Sequence, residues 1–149
     1  MSEPAHVLVV AHQTAATPAL LDAVRERARS GPATFHLVVP HQAHGLHKLG
    51  SEDADDDEAR QVLDAALPKL SEAAGTSFTG SLGDSEPLCA IQDAVNLGNY
   101  DEIIISTLPR RVSRWLRLDL VSKTRALGLP VNHVEAVSKV EEPAVVGGS

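Results

Sequence analysis

The sequence predicts one α/β domain, built on a doubly wound, five-stranded parallel sheet with helices on both faces. Five short apolar segments alternate with four helical segments between His6 and Val134. The strand segments are continuously apolar, which is typical of strands buried on both faces. The chain has 149 residues, the size of one domain. Right-handed crossovers between parallel strands then favour a doubly wound sandwich.

The first strand, helix and second strand are marked by local signals. The apolar, β-branched segment His6–Val10 predicts a buried strand. Thr17 followed by a proline predicts the start of a helix, and Gly31 predicts its end. The segment Thr34–Val39 predicts the second strand, because another apolar run is closed there by a proline.

The middle of the chain continues the alternation. Apolar residues at helical spacing predict a second helix over Ala59–Ala74, and we expect Pro68 to kink or split it. A weaker pattern predicts a third strand over Thr76–Gly80. Asp84 or Ser85 is then expected to cap a third helix, with a glycine after its last turn.

The last third of the chain predicts the remaining elements. Glu102–Ile105 carries the strongest strand pattern of the sequence. Ser113 is expected to cap a fourth helix that extends to Leu127, and Val131–Val134 predicts a fifth strand. We expect a folded domain over residues 1–136 and a C-terminal tail over residues 137–149.

Composition excludes several classes of protein. The net charge is −7 and aromatic residues make up 3% of the chain, so it lacks the broad basic face or exposed rings of a nucleic-acid-binding protein. No apolar run approaches the ~18 residues that span a bilayer. The single cysteine, Cys89, excludes an internal disulfide, and we expect a buried, inert thiol. We therefore expect a cytoplasmic protein without a nucleic-acid or membrane partner.

The charges are concentrated in two segments. Residues 52–58 hold six acids, which we expect to form a solvated loop and the start of the second helix. Residues 110–125 hold six of the thirteen basic residues and one acid. This basic segment is too short to coat a nucleic acid, but it suits a small anion.

Three segments resemble the universal stress protein family, and the resemblance covers roughly residues 5–136. They are Gly83-Asp84-Ser85-Glu86-Pro87-Leu88, Tyr100-Asp101-Glu102-Ile103-Ile104-Ile105 and Gly128-Leu129-Pro130-Val131. The resemblance implies the strand order 3-2-1-4-5, a role in stress response, and a homodimer formed through the last strand. Some members of the family bind ATP.

The glycine motif of those ATP-binding members is replaced in this chain. Its three glycine positions fall on Ser106, Pro109 and Asp119, and its hydroxyl position falls on Leu120, with the spacing preserved. The glycines let backbone N–H groups approach phosphates, whereas Pro109 has no N–H to offer and Asp119 adds a negative charge. These residues argue against ATP binding in the family's manner. ATP held in another way, another adenine nucleotide and a different small anion stay open as alternatives, so no cofactor is assigned.

The candidate binding site is the crevice between the carboxyl ends of strands 1 and 4, because ligands of doubly wound sheets bind where the winding reverses. Hydroxyls, arginines and a histidine fall there, which suits an anion. The candidate residues are His12, Ser106, Thr107, Arg110, Arg111, Ser113 and Arg114.

The preferred hypothesis is a ligand-binding or regulatory domain rather than an enzyme, with no catalytic residue assigned. One alternative is a homodimeric interaction protein without a ligand. A second is a hydrolase-like enzyme in which His12 acts as a base beside Ser106. The histidines His41, His44 and His47 have spacing that suits a metal ligand set, but a loop position favours simple exposure, so no metal site is predicted.

Overall fold

A computed structural model describes residues 4–40, 52–84, 86–109 and 113–136, with the side chains of the second range described from residue 58. The strands there pair in parallel in the order β3-β2-β1-β4-β5. The predicted fold class and strand order are therefore confirmed. The elements are β1 Ala5–Val10, α1 Pro18–Ser30, β2 Ala33–Pro40, α2 Glu52–Ala74, β3 Phe78–Gly83, α3 Pro87–Leu97, β4 Glu102–Thr107, α4 Arg114–Arg117, α5 Leu120–Arg125 and β5 Val131–Glu135.

Two aliphatic cores lie on the two faces of the sheet. Val7 and Val9 of β1 point into the core beneath α1 and α2, whereas Leu8 and Val10 point into the core beneath α3 and α5. All four side chains are completely buried. Because β1 is central and covered on both faces, its side chains are apolar without interruption, as the sequence pattern predicted.

Helix α2 differs from its predicted form at two points. It begins at Glu52, so the whole acidic segment lies within the helix rather than partly in a loop before it. It also continues without a break past Pro68. Pro68 and Asp64 are both exposed, so water can bond the Asp64 carbonyl that the proline leaves without a helical partner.

The predicted single helix from Ser113 to Leu127 is wrong, because the segment forms two short helices. α4 and α5 are separated at Asp119, whose φ of 59° and ψ of 38° place it in the left-handed region. The break follows from that one residue, since a helix cannot continue through a left-handed conformation. The apolar spacing continues across the break and therefore did not reveal it.

Cys89 of helix α3 is exposed rather than buried. The buried residues of α3 are Pro87, Ala90 and Ile91, and Leu88 and Val95 pack against the same core. Ala90 approaches Gly83 of β3 closely, since a Cβ on the glycine would lie 2.8 Å from the Ala90 Cβ. The prediction that Cys89 would be buried is therefore wrong.

The boundaries of β3 and the start of α3 also shift. β3 spans Phe78–Gly83 rather than Thr76–Gly80. The N-cap of α3 is Glu86, whose N–H donates to the Asp84 Oδ1 at 2.9 Å. Asp84 thus stabilises the turn before the helix instead of capping it.

Two further predictions concern the ends and the surroundings of the domain. Within the described ranges, no helix is long and apolar enough to cross a membrane. The predicted tail at residues 137–149 lies outside the described residues.

Candidate functional site

One wall of the crevice is the loop that follows β1. The Ala15 N–H donates to the His12 carbonyl at 3.2 Å, and the Thr17 N–H donates to the Thr14 carbonyl at 3.3 Å. The Thr17 hydroxyl also donates to the Thr14 carbonyl, at 3.0 Å. Two successive turns therefore bring the chain from β1 into α1. Because Thr17 bonds backward, its side chain makes no capping bond to α1.

This loop is joined to the end of β4 by a buried hydrogen bond. The Thr14 Oγ1 and the Ser106 Oγ are 2.6 Å apart, and both residues are almost fully buried. The parallel register of Val10 with Ile105 brings these two strand ends to the same edge of the sheet. The bond therefore holds the β1 loop against β4 and uses the hydroxyl of Ser106 within the protein.

The polar side chain of His12 also belongs to this wall. It is 8% exposed, and neither ring nitrogen has a hydrogen-bond partner among the described residues. Burial lowers the pKa of His12, and the nearby Glu58 carboxylate opposes that shift with a smaller effect. The ring is therefore neutral at physiological pH, with one N–H donor and one acceptor nitrogen available for a partner.

Two other predicted site residues already have partners within the fold. The Thr107 Oγ1 lies 2.8 Å from the Nε2 of His133 on β5. The Ser113 Oγ accepts from the Leu116 N–H at 3.1 Å and so caps α4. Both Thr107 and Ser113 are buried, so their hydroxyls stabilise the end of the sheet and the start of a helix.

The predicted arginines follow β4 in the chain, and the structure describes one of them, Arg114. Arg114 is the first residue of α4 and is exposed. Arg110 and Arg111 lie outside the described residues. Since α4 has only four residues and Ser113 already bonds one of its amides, its N-terminus offers little to an anion. In the described part of this segment, the group that suits an anion is therefore the exposed side chain of Arg114.

Two contributors to the site were absent from the candidate residues of the sequence. Thr14 had a usable signal, since it lies two residues after His12 in the loop that leaves β1. Glu58 had none, because its effect on His12 arises from the way α2 packs against the sheet. Sequence spacing carries no information on that distance.

The described residues show neither a hydrogen bond that would support the enzyme hypothesis nor a cluster of ligands that would support a metal site. Among the described residues the Ser106 hydroxyl bonds Thr14, and no hydrogen bond joins it to His12. No group of three or more metal-ligating side chains occurs within the described ranges. His41, His44 and His47 lie outside them.

Comparison with solved structures identifies the fold. A universal stress protein from Archaeoglobus fulgidus superposes with a TM-score of 0.64 at 18% identity, over 87% of this chain and 93% of that one. A universal stress protein from the same organism in complex with dAMP gives 0.60 at 21% identity, over 90% and 99%. A universal stress protein in complex with cAMP gives 0.57 at 13% identity, over 93% and 100%.

Comparison of the sequence with protein families and with curated proteins adds no relative. No protein-family model matches the sequence, and no curated protein matches it. The structural likeness covers nearly the whole chain, and the sheet order of this chain agrees with the order that the sequence resemblance implied. The chain has the fold of the universal stress proteins.

Proposed function

We propose that the protein is a ligand-binding or regulatory domain that takes a nucleotide or another small anion in the crevice between β1 and β4. The observation that carries the proposal is the ring of His12, which has no hydrogen-bond partner among the described residues. A buried polar group without a partner costs about 1–3 kcal/mol, so a fold that retains one at its topological switch point favours a ligand there.

The two walls suit different parts of such a ligand. A neutral imidazole hydrogen-bonds an uncharged polar group, such as a base or a ribose hydroxyl. The exposed guanidinium of Arg114 suits a phosphate or another anionic group. The crevice therefore combines recognition of a polar body at His12 with charge neutralisation at Arg114.

An adenine nucleotide is the first candidate for this ligand. The solved structures with dAMP and cAMP support it, because they share the fold. Pro109 and Asp119 argue against a triphosphate held by glycine amides, since proline lacks an N–H and the aspartate would repel phosphate. A monophosphate or a cyclic phosphate places less charge near Asp119, so we expect AMP, dAMP or cAMP to bind more tightly than ATP.

A titration followed by thermal unfolding tests the proposal. Wild-type protein is titrated separately with AMP, dAMP, cAMP, ATP, phosphate and sulfate. A ligand at about 100 times its dissociation constant stabilises the native state by about 2.7 kcal/mol, which raises Tm by several degrees in a chain of this length. Two-dimensional NMR of the same samples identifies the amides that respond.

Three variants separate a specific site from general anion binding. His12→Phe keeps a ring of similar size but removes both nitrogens, and Arg114→Ala removes the charge. Arg125→Ala is the matched control, because Arg125 is an exposed arginine on α5 rather than at the crevice. We expect at least tenfold weaker binding in the first two variants. Binding by the control variant should equal that of wild type. Equal loss in all three, or binding unaffected by His12→Phe, would contradict the site.

The alternative functions predict different results. A homodimeric interaction protein without a ligand predicts no shift with any of the six compounds. An enzyme predicts turnover that His12→Phe abolishes, for example release of phosphate from a nucleotide.

A further inference from the structure

A groove separate from the crevice lies between the end of β3 and helix α3. It encloses about 510 Å³, which is within the range of protein binding sites. Leu97 at its rim is 91% exposed. We call this feature the acidic groove; its lining includes Val38, Leu82, Asp84, Asp93, Ala94 and Leu97.

The groove carries negative charge. Asp84 and Asp93 are exposed, and neither forms an ion pair with a residue that the structure describes. The Cys89 thiol lies close enough to respond to these charges. Local desolvation raises the pKa of the thiol, and the carboxylates of Asp84, Glu86 and Asp93 raise it further. An occupant of this groove therefore needs positive charge together with apolar surface.

Such a surface exists on the other side of α3. Exposed basic residues of α4 and α5 lie close in sequence to two leucines, Leu118 and Leu127, which are 38% and 37% exposed. The segment also holds the exposed acid Asp119, and Leu118 and Lys123 line a small pocket together with Glu86 of the α3 N-cap. The salt bridges described for the chain do not involve these basic residues. We call this surface the basic strip; it comprises Arg117, Leu118, Lys123, Arg125 and Leu127.

The position of the two surfaces prevents a single copy from joining them. The acidic groove lies toward the β3 edge of the sheet and the basic strip lies toward the β5 edge, with α3 between them. The large apolar residues exposed in the described part of the chain are Leu97, Leu118 and Leu127, so all of them belong to one surface or the other. Opposite charges around apolar centres are complementary, so each surface fits its counterpart on another copy.

We infer that the acidic groove of one copy binds the basic strip of a second copy. Because the two surfaces are different, the contact is head to tail and leaves one free groove and one free strip in each pair. It therefore produces a ring or a chain of copies. A homodimer formed by pairing of β5, which the family resemblance implies, is two-fold symmetric and would be a separate contact.

Sedimentation equilibrium of the whole chain tests the inference through two variants. The groove variant is Asp93→Asn with Leu97→Ser, and the strip variant is Leu118→Ser with Lys123→Gln. The changes are neutral rather than charge-reversing, so that two impaired surfaces cannot repair each other. A matched control, Asp64→Asn with Lys69→Gln, removes one acid and one base from the exposed face of α2.

We expect the mass of wild-type protein to rise with concentration in about 50 mM salt and to fall in about 500 mM salt, where screening is stronger. Each variant should associate at least tenfold more weakly, whereas the control should match wild type. An equimolar mixture of the two variants should form a one-to-one pair and nothing larger, because it contains one intact groove and one intact strip. Circular dichroism checks that each variant is folded, with Lys123→Gln alone as the milder strip variant.

Other results would overturn the inference. One is a wild-type mass that depends on neither salt nor concentration. Another is a dimer that both variants retain without larger species. A third is an equimolar mixture of the two variants that fails to form pairs. A small amine such as 1,6-diaminohexane that binds the groove stoichiometrically without any self-association would assign the groove to a different occupant.

Discussion

The two walls of the crevice are built in different ways. The β1 wall is buried and held by specific hydrogen bonds, above all the 2.6 Å contact between Thr14 and Ser106. The β4 wall continues into two short helices whose basic residues are exposed and which are divided at Asp119. The first wall is therefore fixed by the sheet and its polar contacts, whereas the second depends on local backbone geometry.

This difference indicates where each property of the site arises. A buried hydrogen bond resists substitution, because a lone hydroxyl in the interior loses its partner and gains no water. Exposed arginines can change without loss of the fold, since water solvates them and their replacements equally. The position of the crevice is thus a property of the fold, whereas the exposed residues of the β4 wall can vary without loss of the fold.

The largest expected effect comes from breaking the bond that holds the first wall. Thr14→Val keeps the shape of the side chain but leaves the buried Ser106 hydroxyl without a partner. We expect the free energy of unfolding to fall by about 1–3 kcal/mol, measured by chemical denaturation. The double variant Thr14→Val with Ser106→Ala removes both polar groups and should recover part of that loss. A double variant as unstable as the sum of the two single variants would contradict this account.

The sequence predicted the first wall better than the second, for physical reasons. The continuously apolar segments at β1 and β4 determine both strands, and the ends of adjacent parallel strands must meet at one edge of the sheet. The unbonded state of His12 could not be predicted, because it depends on which side chains surround the ring in three dimensions. Likewise, the influence of Glu58 depends on how α2 packs.

The predictions that failed depend on single residues that apolar spacing does not register. The apolar pattern of the fourth helical segment continues through Asp119, although the backbone there is left-handed. Cys89 is exposed although its neighbours Leu88 and Ala90 pack against the core. On a helix, consecutive residues point about 100° apart, so closeness in sequence to an apolar residue does not place a side chain on the buried face.

A smaller effect is expected from changing the backbone geometry of the second wall. Asp119 falls on the third glycine position of the family's nucleotide motif and still has the positive φ of 59° that favours glycine. Asp119→Gly should therefore stabilise the fold by up to about 1 kcal/mol, and Asp119→Ala should destabilise it by about the same amount. Thermal unfolding measures both. Equal Tm values for the two variants would show that the left-handed conformation carries no strain.

Asp119→Gly should also change which nucleotide binds. This substitution removes a negative charge from the segment that continues the β4 wall. We therefore expect it to tighten binding of ATP relative to AMP in the titration described above. Asp119→Asn is the matched control, because asparagine tolerates the left-handed region and lacks the charge. If the asparagine variant tightens ATP binding as much as the glycine variant, charge rather than backbone access limits the triphosphate.

The smallest expected effect is a pH dependence that originates in the first wall. Burial lowers the pKa of His12 below its ordinary value of 6.5, with Glu58 acting weakly in the opposite direction, and burial also lowers the pKa of His36. The unfolded chain therefore binds more protons than the native state as the pH falls through 6.5, so acidification destabilises the fold. The contribution of these groups is fully present above that pH and is lost toward the lower pKa of the native state.

Denaturation between about pH 7.5 and pH 5.5, above the range in which most carboxylates titrate, measures this dependence. His12→Phe removes one of the two groups, so its free energy of unfolding should fall less steeply with acidification than that of wild type. His36 should contribute to the slope that remains, because burial lowers its pKa as well and the variant leaves it unchanged. Its ring nitrogens lie within hydrogen-bond distance of the Thr79 and Ser81 hydroxyls on β3. If His12→Phe leaves the slope unchanged, the His12 ring is already bonded in solution, and the observation that supports a ligand at the first wall is lost.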